Sequence, residues 1–179
     1  MSLNPFAAGH AVCIRIENTE SVDERASIRA VNAAAFGGTD EADLVDKLRG
    51  DGHALISLVA ELGSSIVGHI MFSRMWIKTL PGLVSAVALA PMAVLPGHQR
   101  KGIGSLLVQR GLELLRRRGE RIVIVVGHPG YYPRFGFSSS KAKLLESPFP
   151  SDAFMAMELS DGALDGICGS VVYPSVFGI

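Results

Sequence analysis

The chain has 179 residues with 17 Lys+Arg, 17 Asp+Glu and 48% hydrophobic residues. That is enough chain for one domain with a sizeable core, too apolar for a disordered polymer, and too evenly charged for wholesale electrostatic binding to nucleic acid. Two widely spaced cysteines, Cys13 and Cys168, predict free thiols in a reducing compartment, and the Met1–Phe6 start lacks a secretory leader, so the expected location is cytoplasmic.

Elements follow in order along the chain. Ala11 to Glu17 alternates Val12, Ile14 and Ile16 inward against Cys13, Arg15 and Glu17 outward, the pattern of a half-buried strand. Ser21 and Glu24 have capping-box spacing ahead of a helix carrying Ile28, Val31 and Ala35, ended by Gly37-Gly38. Thr39-Asp40 opens a second helix with Leu44, Val45 and Leu48 on one side, stopping at Gly50. Ile56–Leu62 and Ile66–Trp76 form a hairpin about Gly63-Ser64-Ser65. The uncharged stretch Thr79–Gly97 has the length of a membrane span, but Pro81, Pro91 and Pro96 would break it, and no membrane association is expected.

Leu83–Leu95 reads instead as a long apolar strand that must be bulged, bent or unpaired at Pro91. Ile103–Arg118 is the strongest helix, with Ile103, Leu106, Leu107, Leu114 and Leu115 at helical spacing and Arg110 inside the stripe. Arg121–Val126 is apolar on both faces, as a buried parallel strand is, making Leu83–Val126 a β-α-β crossover. A short helix about Gly130–Phe135 and strands near Phe137, Phe154–Leu159 and Ser170–Tyr173 complete the chain. The class is α/β or α+β, one domain over residues 1–179 with a mixed sheet flanked by helices.

The chemistry concentrates at Val94-Leu95-Pro96-Gly97-His98-Gln99-Arg100-Lys101-Gly102-Ile103-Gly104-Ser105, a strand end, a turn and a helix start. First-turn amides have no partner within a helix, and glycine lets an anion approach them without a Cβ in the way. Gly97 and Gly102 share P-loop spacing, but Ile103-Gly104 replaces its Lys-Ser, and Leu107 stands where a dinucleotide fingerprint needs glycine. Two glycines at a helix start fit a packed turn as well as a phosphate site. The five histidines show no metal-ligand spacing, so no metal is expected, and a serine-hydrolase elbow is absent.

Gln99-x-x-Gly102-x-Gly104 after Val94-x-Pro96 resembles the coenzyme A signature of the GNAT superfamily of N-acetyltransferases, and Tyr132-Pro133-Arg134-Phe135-Gly136-Phe137 resembles its Tyr-x-x-x-Gly-Phe element. The wider phrase Gly127–Phe137 resembles a bacterial subgroup of predicted acetyltransferases, and the likeness runs over about residues 11–159. It implies a GNAT-like, mostly antiparallel sheet with one splayed parallel pair. It also implies acetyl-CoA as cofactor, its pantetheine arm held by Met92, Ala93 and Val94 and its pyrophosphate surrounded by Arg100, Lys101, Gly102, Ile103, Gly104 and Ser105. The implied activity is direct transfer of acetyl to a primary amine of a small molecule or peptide, and a homodimer is a family habit.

Such a transfer needs a neutral amine, a donor for the developing oxyanion and a proton for the departing thiolate. Tyr132 is the expected general acid, with Tyr131 as the alternative, since a phenol of pKa about 10 keeps its proton at neutral pH. An amide near Ala93 or Val94 is the natural oxyanion donor. The strand Leu83–Leu95 lacks the glutamate many of these enzymes use as base, leaving His128, His69, Glu41 or a water chain. That missing acid sustains an alternative reading, a non-catalytic acyl-CoA-binding regulatory module.

Overall fold

A computed structural model describes residues 11–150 and 152–179; the first residues read for a leader, and His10, lie outside the described residues. Strand β1 (Val12–Ile16) is followed by helices α1 (Val22–Phe36) and α2 (Asp40–Gly50), then β2 (Ala54–Leu62), β3 (Ser65–Lys78) and β4 (Leu83–Val94). Helix α3 (Ile103–Arg117) leads to β5 (Ile122–Val126), and short strands β6 (Leu145–Glu146), β7 (Phe154–Glu158) and β8 (Gly169–Val172) close the fold. The sheet runs β1-β2-β3-β4-β5-β7, with β8 beside the end of β3 at Trp76–Lys78 and β6 beyond it. Only β4–β5 and β6–β8 are parallel pairs, so the mixed, mostly antiparallel sheet expected from the sequence is the one found.

The helix boundaries have local causes. Ser21 accepts from the Glu24 amide at 3.1 Å, while the Glu24 carboxylate accepts from the Asn18 amide and from Arg15 instead of closing a full capping box. Gly37 ends α1 at φ 78°, a left-handed conformation that glycine adopts without penalty. Helix α3 packs its Ile103, Leu107, Val108, Leu112 and Leu115 face on β2–β5. Gly111 allows that close approach, since a Cβ there would stand 2.1 Å from Phe72 Cε2. Leu106, expected in the stripe, is exposed, and Arg110 pairs with Glu113 at 2.7 Å on the solvent side.

Helices α1 and α2 cover the opposite face of β2 and β3 through Ile28, Val45, Leu48, Val59 and Met71. The chain from Ala142 to Phe177 covers the far half of the sheet, packing on Met75, Ile77, Ala86 and Ala88. The expected short helix after β5 is a 3-10 turn, Tyr132–Phe135, because Pro133 occupies its start and Gly136 at φ 100° stops it after one turn. No strand forms at Phe137; Ser138 makes a single bridge to Ala156. Among the described residues no helix is long and apolar enough to cross a membrane.

Candidate active site

The site begins where β4 and β5 part. Their pairing covers only Val87–Val123, Ala88–Ile124 and Leu89–Val125. Opposite Met71, β4 carries two residues, Ala90 and Pro91, so of the bulge, bend or lost pairing expected at the proline the bulge is the one present. Beyond it Met92, Ala93 and Val94 stay paired with Ile70, His69 and Gly68 of β3, while β5 keeps only its β7 partner. One edge of β4 from Ala90 to Val94 is therefore without a strand, although its neighbours are buried.

The strand runs straight into the turn. Gln99 Nε2 donates to the Val94 carbonyl at 2.9 Å and Lys101 Nζ to the Gly97 carbonyl at 2.8 Å, tying the loop to the strand and to itself. Arg100 at φ 60° and Gly102 at φ 87° are both left-handed. For arginine that conformation costs about 1 kcal/mol, a cost expected where backbone direction matters. The first amide of the helix with a carbonyl partner is Leu106, on Gly102 at 3.0 Å; among the described residues none accepts from Arg100 through Ser105. Six amides and two cationic side chains thus stand together beside the open strand edge, an arrangement suited to a polyanion.

Across the gap the end of β5 positions two tyrosines. Tyr131 and Tyr132 both donate their amides to the His128 carbonyl, at 2.9 and 3.3 Å. The Tyr132 ring lies over Gly127, where a Cβ would come within 2.2 Å of it, and meets Phe137 edge-on at 5.7 Å. Burial, reinforced by Tyr131, holds the Tyr132 phenol well above its ordinary pKa. Its hydroxyl makes no hydrogen bond among the described residues, so the proton is present and uncommitted. The Tyr131 hydroxyl lies 3.3 Å from Ser105 Oγ and Arg134 stacks 4.6 Å from the Tyr131 ring centre, which places this tyrosine at the amides of α3. Nothing in the local sequence announces that link, which joins positions 26 residues apart.

Of the expected bases, His128 is exposed at the end of β5 and Glu41 is half-buried in the first turn of α2. His69 is fully enclosed. Its Nδ1 lies 3.1 Å from Asn32 Nδ2, which also donates to the Ile28 carbonyl, so Nδ1 is an acceptor. Nε2 then carries the hydrogen and donates to Ser57 Oγ at 2.9 Å; Ser57 donates to Glu17, and Glu17 is held by Arg49 at 2.7 Å. With its lone pair occupied, His69 is a structural member of a buried polar chain and not a base. Glu17, expected outward, is 5% exposed for the same reason. The sign in the sequence was Asn32, a polar residue one turn from Ile28 on the apolar face of α1.

Burial, with the positive Arg49 nearby, lowers the His69 pKa from 6.5 to about 3. Above pH 6.5 neither folded nor unfolded His69 is protonated; between 6.5 and about 3 the unfolded chain binds a proton that the fold excludes. Stability is therefore expected to fall on acidification from about pH 6.5, approaching 1.4 kcal/mol per pH unit. Urea titrations at about pH 6.5 and 5, above the midpoints of ordinary carboxylates, read this slope, and the part that His69→Gln removes is the part due to His69. An equal slope in the variant would show that His69 does not contribute.

The sequence profile of the acetyltransferase (GNAT) family matches residues 25–137. The chain is 40% identical over 130 residues to YjhQ of Escherichia coli K12, an uncharacterized N-acetyltransferase, covering 71% of this chain and 72% of that protein. It is similar to the crystal structure of the GNAT family N-acetyltransferase YhbS of Escherichia coli in complex with CoA, with TM-score 0.86, 30% identity, and coverage of 96% of this chain and 94% of that one. A GNAT family acetyltransferase of Brucella melitensis in complex with acetyl-CoA superposes with TM-score 0.78 at 33% identity, covering 94% of this chain and 99% of that one.

Proposed function

The chain belongs to the acetyltransferase (GNAT) family, and we propose that it transfers the acetyl group of acetyl-CoA directly to a primary amine. The observation that carries this reading is the open edge of β4 from Ala90 to Val94, flanked by the free amides of α3 on one side and the protonated Tyr132 on the other. The fit to the cofactor is chemical. A pantetheine arm carries amides that pair with a strand edge, and a pyrophosphate matches unpartnered N–H groups at a helix start. Gly104 keeps the approach open, since a Cβ there would already meet the Tyr131 hydroxyl at 3.0 Å.

Bound acetyl-CoA supplies an activated acyl group and a thiol leaving group. The strand edge along Met92, Ala93 and Val94 would hold its arm, and Arg100, Lys101, Gly102, Ile103, Gly104 and Ser105 would receive its phosphates. Of the two amides considered, that of Ala93 is directed at His69 of β3, so the Val94 amide, which alternates toward the open edge, would stabilise the negative charge that develops on the acyl oxygen. Tyr132 donates its phenolic proton to the thiolate. His128, exposed at the end of β5, or a water chain takes the proton of the amine.

Thiol release from acetyl-CoA, followed across polyamines, aminoglycosides and peptide N-termini with mass detection of the acetylated amine, tests the reading. An amine-dependent release with matching product supports it. Tight coenzyme A binding with no amine-dependent release would favour the non-catalytic module, for which the absence of an acid from Leu83 to Leu95 is the supporting observation.

A further inference from the structure

We propose that the groove between the C-terminal turn of α3 and the open end of the β1–β2 pair binds a small amphiphilic carboxylate, at a site distinct from that of acetyl transfer. The groove encloses about 400 Å³, a volume at the lower end of small-molecule sites. Its walls are mostly apolar, with Ile16, Leu55, Ile56 and Leu114, interrupted by Glu17, Thr19 and Ser57 and joined by Arg117 and Arg118. Ile16 is 65% exposed although the alternation of β1 puts it on the covered face with Val12 and Ile14. Ile16 lines the groove together with Leu114, Arg117 and Arg118 of the last turns of α3 instead of being covered by the helix. An apolar residue at an inward position with nothing against it is a wall without an occupant.

Charge decides the class of occupant. Glu17, the carboxylate that lines the groove, is already engaged by Arg49 and Ser57, and Arg117 is engaged by Glu113, while Glu20 beside the lining residue Thr19 has no cation partner among the described residues. Arg118 has no carboxylate partner among the described residues, and Arg25, itself outside the lining, donates to the carbonyl of the lining residue Thr19 at 2.9 Å. The negative end of the α3 dipole would oppose an anion, but the carbonyls of Leu114, Leu115 and Arg116 already accept from the amides of Arg118, Glu120 and Gly119. What remains is apolar surface beside the unpaired guanidinium of Arg118, with Arg25 and Glu20 of opposite charge near Thr19. A carboxylate on a short hydrocarbon body satisfies both, with its head on Arg118 and its tail on Ile16, Leu55 and Leu114. The site lies about 20 Å along α3 from Gly104, too far to share the phosphate cradle.

Calorimetric titration of the full chain with sodium octanoate, in the presence and absence of saturating acetyl-CoA, tests the proposal. Binding at about 10–500 μM, unchanged by acetyl-CoA, is expected, with 1-octanol at least about tenfold weaker because it lacks the charge. Ile16→Asp and Arg118→Glu alter exposed side chains, so the fold is retained, and each should weaken octanoate about tenfold or more while leaving acetyl-CoA affinity intact. No binding at about 5 mM, unchanged binding in both variants, competition with acetyl-CoA, or equal affinity for octanol would each overturn it. Binding seen only after deletion of residues 1–10 would overturn it too, by showing that the chain's own first segment occupies the groove.

Discussion

Tyr132→Phe is expected to lower kcat about 100-fold while the Kd for acetyl-CoA changes less than about twofold. The ring is held by Gly127 and Phe137 through carbon contacts that phenylalanine keeps, so the variant removes a proton and little else. Loss at the low end of the range for general acids follows from the leaving group, since a thiolate of pKa about 8.5 departs partly unaided. Because burial raises the phenol further, Tyr132 should not contribute an alkaline fall in kcat below about pH 10. Single-turnover kinetics with saturating acetyl-CoA and amine give the rate of the chemical step, and titration calorimetry gives the affinity. Tyr131→Phe is the matched control: its hydroxyl faces Ser105 on α3, so its loss should affect affinity and leave the chemical step in place. An unchanged kcat for Tyr132→Phe, or the reverse pattern between the two tyrosines, would remove Tyr132 from the general-acid role.

What could be seen in the sequence and what could not divide along the range of the interactions. The Pro91 bulge, the α3 start and the β4-α3-β5 crossover were legible because each is written in neighbouring residues: a missing N–H, a pair of glycines, a β-branched run. Phe72 against Gly111 was not, since a glycine inside a helix has many causes and the partner lies 39 residues away. Glu17 illustrates the same limit. Alternation placed it outward, but the buried chain through Ser57, His69 and Asn32, with Arg49 from α2, supplies enough hydrogen bonds to hold a carboxylate inside. His69 stands among the candidate bases as a histidine of the hairpin; the residue that occupies its lone pair, Asn32, comes from α1, 37 residues away. The tail was misread for a related reason. Ser138 and Leu145–Glu146 make their pairings with distant strands, and short edge segments carry little periodicity to announce them.

Gly104→Glu is expected to raise the Kd for acetyl-CoA at least about 100-fold without loss of stability, and the separation of the two effects is the point of the substitution. Gly104 is the second residue of α3, where glycine is a poor helix former and an acidic side chain complements the positive end of the dipole. By itself the substitution should therefore stabilise the helix by a few tenths of a kcal/mol up to about 1 kcal/mol. Against that, the new Cβ approaches the Tyr131 hydroxyl at 3.0 Å and the Met92 Cε at 3.4 Å, both ends of side chains that can give way. The carboxylate then competes for the same first-turn amides that a pyrophosphate would use and repels it. Gly104→Ala brings only the Cβ and should weaken binding a few-fold; Gly104→Gln brings the bulk without the charge and should fall between. Calorimetry with the three variants, alongside their thermal midpoints, reads both quantities. Equal affinity for Gln and Glu would mean that steric closure acts and not charge. Wild-type affinity in the Glu variant would mean that the amides from Arg100 to Ser105 do not hold the phosphates, and the cofactor would have to be sought along β4 alone.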